Sequence, residues 1–449
     1  MELAKIQSVF LLGIGGIGMS GLARYFKQRK CNVAGYDKTE TTLTKQLILE
    51  GIEVSYSDDI SEVKNIYKTN SSSVLVIYTP AIPTTTNLYT YFSTHTEIYK
   101  RSQVLGIISK GMYTIAVAGT HGKTTTSTII THLLKEGGID CTAFLGGIST
   151  NYQSNFLIGS SNVMVVEADE YDRSFLTLHP DVAVITSMDA DHLDIYGDPK
   201  SLENSFREFA SQIKKDGVLI VKNGLAISQK NNSYSVQNKA DFYADNIQIK
   251  NGNYYFDFIE STKIILNLTL GLPGLHNVEN AVAAIAIALN EGVNEESIRK
   301  SLQSYSGVKR RFEYIIKQEN QIYIDDYAHH PEEIKACINS VKQLYPNLKL
   351  TVVFQPHLFT RTRDFAQAFS ESLSLADQVI LLEIYPAREK PIEGVNSQML
   401  LANINLENKE FVADGELLNK IKIIKPKLLL TLGAGDIDRF VEPLKEILT

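Results

Sequence analysis

Short apolar runs alternate with segments of helical periodicity along almost the whole chain. Runs that read as buried strands include Ser8–Leu12, Val74–Tyr78 and Tyr113–Ala118. Patterns typical of helices follow, for example at 18–30 and 124–136. Strands that alternate with helices are typical of α/β proteins with largely parallel sheets. The pattern therefore predicts α/β architecture throughout.

The strand–helix pattern restarts twice along the chain. A length of 449 residues is more than one hydrophobic core usually serves, so two or three domains are expected. We predict three domains, which cover residues 1–103, 104–309 and 310–449. Each of them opens with a predicted strand.

Composition and charge exclude several classes of protein. Hydrophobic residues make up 44% of the chain and charged residues 21%, which is ordinary for a globular protein. The net charge of -7 is spread without a long basic run, so we expect no nucleic-acid partner. Three cysteines without metal-ligand spacing predict free thiols in a reducing compartment. Without a signal sequence or a long apolar stretch, a cytoplasmic protein with no membrane partner is expected.

A glycine-rich loop, residues 13–18, follows the first strand and precedes a helix. Glycines let the backbone approach a pyrophosphate, and the helix N-terminus offers unpaired N–H groups. Asp37 ends the next predicted strand, which completes the spacing of a dinucleotide-binding motif. A nicotinamide cofactor and a UDP-sugar both carry a pyrophosphate, and the motif does not distinguish them.

The segment G-T-H-G-K-T-T-T, residues 119–126, is the most specific signal in the chain. It lies between a predicted strand and a helix, where backbone N–H groups can form an anion-binding nest. Lys123 would reach the β- and γ-phosphates of ATP, and the Thr124 hydroxyl would ligate Mg²⁺. The general phosphate-loop spacing is not kept, because Val117 occupies the position of its first glycine.

Acidic side chains follow the next two strands. Glu167, Asp169 and Glu170 come at the end of one strand, and His192 lies in the loop D-A-D-H-L-D after another. Mg²⁺ prefers oxygen ligands, so a carboxylate is expected beside the phosphate loop. Solvated surface positions for Asp169 and Glu170 are the alternative.

Taken together and in this order, the motifs from residue 13 to residue 394 resemble the Mur ligase family. The resemblance also includes N-x-x-N at 277–280, R-R-F at 310–312, D-D-Y-x-H-H-P at 325–331 and Y-P-A-R-E at 385–389. It implies a Rossmann-like N-terminal domain for a UDP-sugar, a central P-loop-like ATPase domain and a Rossmann-like C-terminal domain for an amino acid. The alternatives for Asn277 and the Arg-Arg pair are a helix cap and a basic linker.

The resemblance assigns residues to four sets. The UDP-sugar set is Gly15, Gly16, Ile17, Gly18, Met19, Ser20, Asp37, Thr79, Pro80 and Ala81. The ATP set is Gly119, Thr120, His121, Gly122, Lys123, Thr124, Thr125, Asn277, Asn280 and Arg311. The metal set is Thr124, Glu167 and His192. The set around the reacting groups is Lys123, His192, Arg311, Asp326, His329 and Arg361.

The implied activity is ATP-dependent formation of an amide through an acyl phosphate. Y-P-A-R-E and the run 171–176 resemble the branch of the family that joins L-alanine to UDP-N-acetylmuramate. The resemblance implies ATP and two Mg²⁺ ions as cofactors. A monomer or weak homodimer is expected. A branch that attaches a whole tripeptide is the nearest alternative. This chain departs from relatives at two places. Leu358 stands where some relatives have a basic residue. Several relatives also have a modified lysine in the helix after the His192 loop, which this chain lacks at the matching place.

Two readings from other classes are less complete. A nicotinamide-dependent oxidoreductase would use the loop 13–18 and Asp37, but it leaves G-T-H-G-K-T unexplained. A regulatory nucleotidase would use the phosphate loop alone. Dependence of ATP cleavage on an amino acid separates this second class from a ligase.

Overall fold

A computed structural model describes residues 1–189, 193–236, 238–250, 253–387 and 389–449. Its strands form three sheets with predominantly parallel pairing, so the predicted α/β architecture is confirmed. No helix in these ranges is both long and apolar enough to cross a membrane. The chain forms two compact units, one of Met1–Asp245, Asp257–Leu268 and Glu279–Tyr305, the other of Asn246–Phe256, Thr269–Val278 and Ser306–Thr449.

The first sheet has five strands in the order β3-β2-β1-β4-β5. They are β1 (Ser8–Leu12), β2 (Asn32–Tyr36), β3 (Glu53–Ser55), β4 (Val74–Tyr78) and β5 (Ile98–Lys100). The helices are α1 (Ile17–Gln28), α2 (Thr42–Leu49), α3 (Asn65–Lys68), α4 (Asn87–His95) and α5 (Arg101–Lys110). The strand order reverses between β1 and β4, and ligands of such sheets bind at the carboxyl ends of these strands.

The second sheet has ten strands in the order β15-β14-β13-β12-β11-β10-β6-β9-β7-β8. They are β6 (Tyr113–Ala118), β7 (Thr142–Ser149), β8 (Ser154–Leu157), β9 (Val163–Ala168), β10 (Val182–Ile185), β11 (Val218–Lys222), β12 (Asn232–Ser235), β13 (Phe242–Lys250), β14 (Asn253–Glu260) and β15 (Lys263–Leu270). Its helices are α6 (Lys123–Glu136), α7 (Leu193–Tyr196), α8 (Pro199–Ser211), α9 (Leu275–Asn290) and α10 (Glu295–Ser304). Because β6 pairs in parallel with β9 and β10, the loops after these three strands meet at one edge.

The third sheet has six strands in the order β16-β17-β21-β18-β19-β20. They are β16 (Glu313–Gln318), β17 (Gln321–Asp326), β18 (Leu350–Phe354), β19 (Gln378–Leu381), β20 (Lys409–Phe411) and β21 (Leu428–Leu432). Its helices are α11 (Pro331–Leu344), α12 (Phe359–Asp364), α13 (Ala366–Leu373), α14 (Ser397–Asn403), α15 (Leu417–Ile424) and α16 (Val441–Leu448). Only β16 pairs in the antiparallel sense.

The apolar run of β1 is explained by burial on both faces of the first sheet. Side chains alternate between the faces of a strand. Val9 and Leu11 accordingly join one hydrophobic cluster, and Phe10 and Leu12 join another. All five residues of β1 are buried, as is typical of a parallel strand covered on both sides.

Helix α1 fixes the first sheet to the second within the first compact unit. The Arg24 guanidinium donates to both carboxylate oxygens of Glu50, each at 2.8 Å, and Nη1 donates to Asn155 Oδ1 at 2.5 Å. Beside this network, the Tyr25 ring lies 5.8 Å from the ring of Phe144, which lies 5.0 Å from that of Phe156. The polar and aromatic contacts together hold α1 against β7 and β8.

We expect Gly35→Ala to destabilise the first sheet. A methyl group at Gly35 would lie 2.5 Å from the Leu11 carbonyl oxygen and 2.8 Å from Ile14 Cβ. Overpacking of this kind costs about 1–3 kcal/mol, which urea unfolding would measure. The control is Gly111→Ala, whose methyl group would meet nothing closer than the Ile108 carbonyl oxygen at 3.7 Å. Equal stability of the two variants would show that the close contacts of Gly35 do not limit its side chain.

Candidate active site

The glycine loop after β1 is held by contacts to the strand ends around it. Gly13 has φ +87°, and a methyl group there would lie 2.4 Å from Thr79 Cγ2. The Gly15 N–H donates to Asp37 Oδ2 at 2.8 Å, so this carboxylate supports the loop. Gly16 precedes α1 and provides no side-chain cap. Contacts with Thr79 and Asp37 thus shape the loop. No side chain of the loop accepts a hydrogen bond from the first N–H groups of α1.

The predicted UDP-sugar residues gather at the carboxyl ends of β1, β2 and β4. The turn Thr79-Pro80-Ala81 follows β4, and the Thr79 N–H donates to the Leu12 carbonyl at 3.2 Å. The side chains of Met19 and Ser20 are buried inside α1, and the Ser20 hydroxyl donates to the Ile17 carbonyl at 2.8 Å. Any ligand contact from these two residues would therefore come from the backbone.

The phosphate loop is attached to the residues that follow β10. Gly119 has φ +142°, and a methyl group there would lie 2.1 Å from Thr186 Oγ1. The Ser187 hydroxyl oxygen accepts from the His121 N–H at 2.7 Å and lies 2.9 Å from the Thr120 hydroxyl. Sequence reasoning missed Thr186 and Ser187. Two hydroxyl side chains directly after a neighbouring strand were the signal that could have found them.

Lys123 forms an ion pair with a buried carboxylate. Its Nζ lies 2.8 Å from Glu170 Oε2 and donates to the Gly119 carbonyl at 2.5 Å. Burial alone would lower the pKa of Lys123, but the carboxylates of Glu170, Glu167 and Asp169 outweigh burial and raise it. Lys123 is therefore an ammonium ion at neutral pH. Glu170 is only 1% exposed, so the alternative of a solvated surface position is wrong for it.

Glu167 is held beside the phosphate loop at the end of β9. Its Oε2 accepts from the Gly146 N–H at 3.0 Å, and a methyl group at Gly146 would collide with the carboxylate at 2.2 Å. Thr124 lies in the first turn of α6. These hard oxygen donors suit Mg²⁺. His192, the third predicted ligand, lies outside the described residues, within which no cluster of three or more His, Cys, Asp or Glu could hold a metal ion.

The two asparagines of N-x-x-N have different surroundings. Helix α9 begins at Leu275, earlier than predicted, so Asn277 lies inside the helix and is not its N-cap. The Asn277 amide donates to the Pro273 carbonyl at 2.6 Å. Asn280 lies against the phosphate loop, because a methyl group at Gly122 would be 2.9 Å from Asn280 Oδ1.

The adjacent arginines before β16 also differ. Arg310 is committed to the fold, since Nε donates to Asp325 at 3.0 Å and Nη2 to the Gly433 carbonyl at 2.7 Å. Arg311 is 31% exposed and stacks over Tyr327 at 5.0 Å. Arg311 is therefore the member of the pair that is open to a ligand.

Asp326 organises the segment that carries the arginines. Its two carboxylate oxygens accept from the N–H groups of Phe312 at 2.6 Å and Ala328 at 2.7 Å. Burial raises the pKa of Asp326 to about 6, although the Arg311 charge opposes the shift. Both oxygens hold backbone, so the carboxylate sets the position of Arg311.

His329 and His330 point in different directions, as expected for two neighbouring residues. His329 Nδ1 lies 3.0 Å from the Tyr327 carbonyl oxygen, and its ring is 6.0 Å from the ring of His357. His330 is buried, with its ring edge-on to Phe365 at 5.0 Å. Burial lowers the pKa of both His329 and His357 to about 4. The rings of His329 and His357 are therefore neutral at physiological pH.

Arg361 lies in α12, close enough for its charge to lower the pKa of both His329 and His357. Glu389 holds the start of that helix, accepting from the Thr360 N–H at 3.0 Å. Leu358 precedes the helix with φ +70°, an unusual value for a residue with a side chain. Its N–H donates to the Tyr385 carbonyl at 3.0 Å, which joins the two loops that carry these groups.

The motifs and the fold define a chain of the Mur ligase family, and comparison with known proteins establishes this membership. The model for the Mur ligase family catalytic domain matches residues 9–113, that for the Mur ligase middle domain matches 117–288, and that for the Mur ligase glutamate ligase domain matches 310–435. The chain belongs to the Mur ligase family. The predicted boundaries at 103/104 and 309/310 stay predictions.

Among its relatives are proteins named UDP-N-acetylmuramate–L-alanine ligase. The protein of Christiangramia forsetii is 49% identical over 448 residues, covering 100% of this chain and 99% of that protein. The protein of Flavobacterium psychrophilum is 49% identical over 99% of both. A crystal structure of UDP-N-acetylmuramate–alanine ligase from Thermotoga maritima matches with a TM-score of 0.83 and 27% identity over 98% of each chain.

We expect the two neutral histidines to make stability depend on pH. Their folded pKa of about 4 lies below the unfolded value of about 6.5. Protons therefore bind the unfolded chain preferentially, and the free energy of unfolding falls as pH drops from about 6.5 to about 4. Each histidine contributes at most about 1.4 kcal/mol per pH unit. Asp326 has a raised pKa, so its protonation makes the free energy of unfolding rise as pH drops and opposes the effect of the histidines. The pH dependence of each variant must therefore be compared with that of the wild type.

His357→Gln should make this loss of stability shallower, as measured by urea unfolding at a series of pH values. The control is His95→Gln, which changes an exposed histidine in α4. A slope unchanged in His357→Gln, or reduced equally in both variants, would contradict the assignment.

Proposed function

We propose that this chain is an ATP-dependent ligase that joins L-alanine to the lactyl carboxylate of UDP-N-acetylmuramate in peptidoglycan precursor synthesis. ADP and phosphate are the other products. The observation that carries the proposal is the phosphate loop, with the ammonium group of Lys123 held at the edge of the central sheet. The full-length relatives named for this reaction support alanine as the amino acid.

A ligase of this kind must activate a poor electrophile. A carboxylate repels an incoming amine by its charge, and oxide cannot leave. Transfer of the ATP γ-phosphoryl group to the lactyl carboxylate gives an acyl phosphate and ADP. The alanine amine then attacks the carbonyl carbon, and the tetrahedral intermediate expels phosphate to form the amide.

Lys123 and the loop 119–125 bind the ATP phosphates. Backbone N–H groups of the loop meet phosphate oxygens, and the ammonium charge offsets the negative charge that accumulates during transfer. Glu170 holds Lys123 at the loop in the absence of the nucleotide. Asn280 meets the adenine edge in this proposal, as the family resemblance implies, and its position beside Gly122 supports this role.

Arg311, His329 and Arg361 act on the groups that react. Arg311 stabilises the charge of the transferred phosphoryl group, in the position that Asp326 sets for it. His329, which is neutral at pH 7, acts at the reacting carboxylate or amine, as the family resemblance implies. Arg361 pairs with the alanine carboxylate through its two-pronged guanidinium group.

Thr124 and Glu167 would hold Mg²⁺, and we propose two ions, with His192 at the second. Bound Mg²⁺ neutralises phosphate charge and orients phosphate oxygens. The residues 13–18, Asp37 and the turn 79–81 form the UDP-sugar site. A cytoplasmic monomer or weak homodimer remains our prediction.

Lys123→Ala should lower alanine-dependent phosphate release by about 100-fold or more, because the loop loses its only side-chain ammonium group. Affinity for UDP-N-acetylmuramate, measured by calorimetry, should stay within about threefold of wild type. Lys135→Ala is the matched control, since Lys135 lies in the same helix and pairs with Asp140. Wild-type turnover in the Lys123 variant would overturn the proposed function.

A panel of amino acids tests the choice of substrate. With UDP-N-acetylmuramate and ATP present, L-alanine should support phosphate release, while the cell-wall tripeptide should not. The panel also includes glycine and L-serine, which measure tolerance for side-chain size. Release with the tripeptide alone would favour the tripeptide-adding branch, and release without any amino acid would favour a regulatory nucleotidase.

A further inference from the structure

Arg101 occupies an electrostatically unusual position. It is the first residue of α5, and Lys100 directly precedes that helix. The N-terminus of a helix is its positive end, so cations there are unfavourable unless anions lie nearby. Two carboxylates do lie nearby: Lys100 Nζ donates to Asp172 at 3.1 Å, and Arg101 Nη2 donates to Asp169 at 3.0 Å.

The guanidinium group of Arg101 also lies at the start of a second helix, α1. A methyl group built on Gly18 would be 2.3 Å from Arg101 Nη1 and 3.0 Å from its Cζ. The glycine at this position therefore makes room for the arginine. A side chain at residue 18 would displace the guanidinium group from the glycine loop.

The start of α1 adds further positive potential at this place. Gly16 provides no side-chain cap, and the first turn contains no acidic residue. Gly16 and Ile17 are exposed, so the loop is open to solvent. Arg101 thus lies beside two helix N-termini. The carboxylate of Asp169 on its guanidinium group and that of Asp37 on the Gly15 N–H offset part of this positive charge. An anion bound at the loop would complete the balance.

The backbone that carries Arg101 is firmly placed. The Thr177 hydroxyl donates to the Ser102 carbonyl at 2.8 Å. A methyl group at Gly106 would collide with the Thr177 carbonyl oxygen at 2.5 Å, so α5 packs directly against the 3₁₀ helix Tyr171–Thr177. Arg101 therefore reaches the glycine loop from a fixed base, with its direction set by Asp169.

We propose that Arg101 is a binding residue for the pyrophosphate of the UDP-sugar. The guanidinium group donates to phosphate oxygens above Gly18, while Asp169 fixes its orientation from the central sheet. The inference rests on the proposed function, because it takes the glycine loop as the UDP-sugar site. The glycine motif predicts contacts from backbone N–H groups to the pyrophosphate, and Arg101 adds a side-chain contact to them.

The test is equilibrium binding of UDP, UDP-N-acetylmuramate and ADP by calorimetry to the full chain. Arg101→Gln should weaken both uridine ligands by a similar factor of about 10- to 100-fold, because a charge-assisted contact to phosphate is lost. Arg101→Lys should give a smaller loss, since it keeps the charge but not the planar fork. Affinity for ADP should stay within about threefold.

Lys100→Met is the matched control, because Lys100 is the adjacent cation and pairs with the same acidic segment, whereas the atoms nearest to a methyl group on Gly18 are those of Arg101. It should bind UDP as the wild type does. Arg101→Lys keeps the comparison possible if Arg101→Gln fails to fold.

Three results would overturn the assignment of Arg101: UDP affinity within threefold of wild type in both variants, an equal loss for UDP and ADP, or a loss confined to UDP-N-acetylmuramate. The second would indicate a role in the fold alone, and the third would place Arg101 at the sugar. If wild-type protein bound neither uridine ligand, the UDP-sugar site of the proposed function would fail first.

Discussion

The buried ion pair between Lys123 and Glu170 is the interaction on which the central site depends. A charge away from water is costly unless a partner of opposite sign is close, and each of these groups supplies that partner for the other. The pair keeps Lys123 charged and fixed in the loop before any phosphate arrives. In the proposed function, the phosphates of the nucleotide become a further anionic partner of Lys123.

Buried carboxylates also organise the third sheet, where one pairs with an arginine and the other holds the backbone. Asp325 binds Arg310, and Asp326 binds the N–H groups of Phe312 and Ala328. Arg311 is thereby placed beside Asp326, with its Nη1 3.8 Å from Glu333 Oε1 and its side chain 31% exposed. The neutral rings of His329 and His357 nearby add hydrogen-bonding groups without adding charge. This division between supporting and reacting groups is set at the carboxyl ends of parallel strands.

Much of this could be predicted from local pattern. The strands β1, β4 and β6 were predicted with their observed bounds, because apolar runs between turn residues are local signals. The ion pair between Glu170 and Lys123 could not be predicted, since it depends on which strands are neighbours. For Ser187, the hydroxyl side chains that directly follow a strand were a signal. The helix-cap alternative for Asn277 is wrong, because α9 begins at Leu275, before this residue.

Asp169 and Glu170 are consecutive, yet they bind cations on different sheets: Arg101 beside the first and Lys123 in the second. A single peptide unit thus ties two loops together. This has a consequence for protein engineering. A chimaera that takes its first sheet from one relative and its second from another must keep the charges at 100–101 matched to those at 169–172. Otherwise the graft would leave carboxylates without cations at the junction.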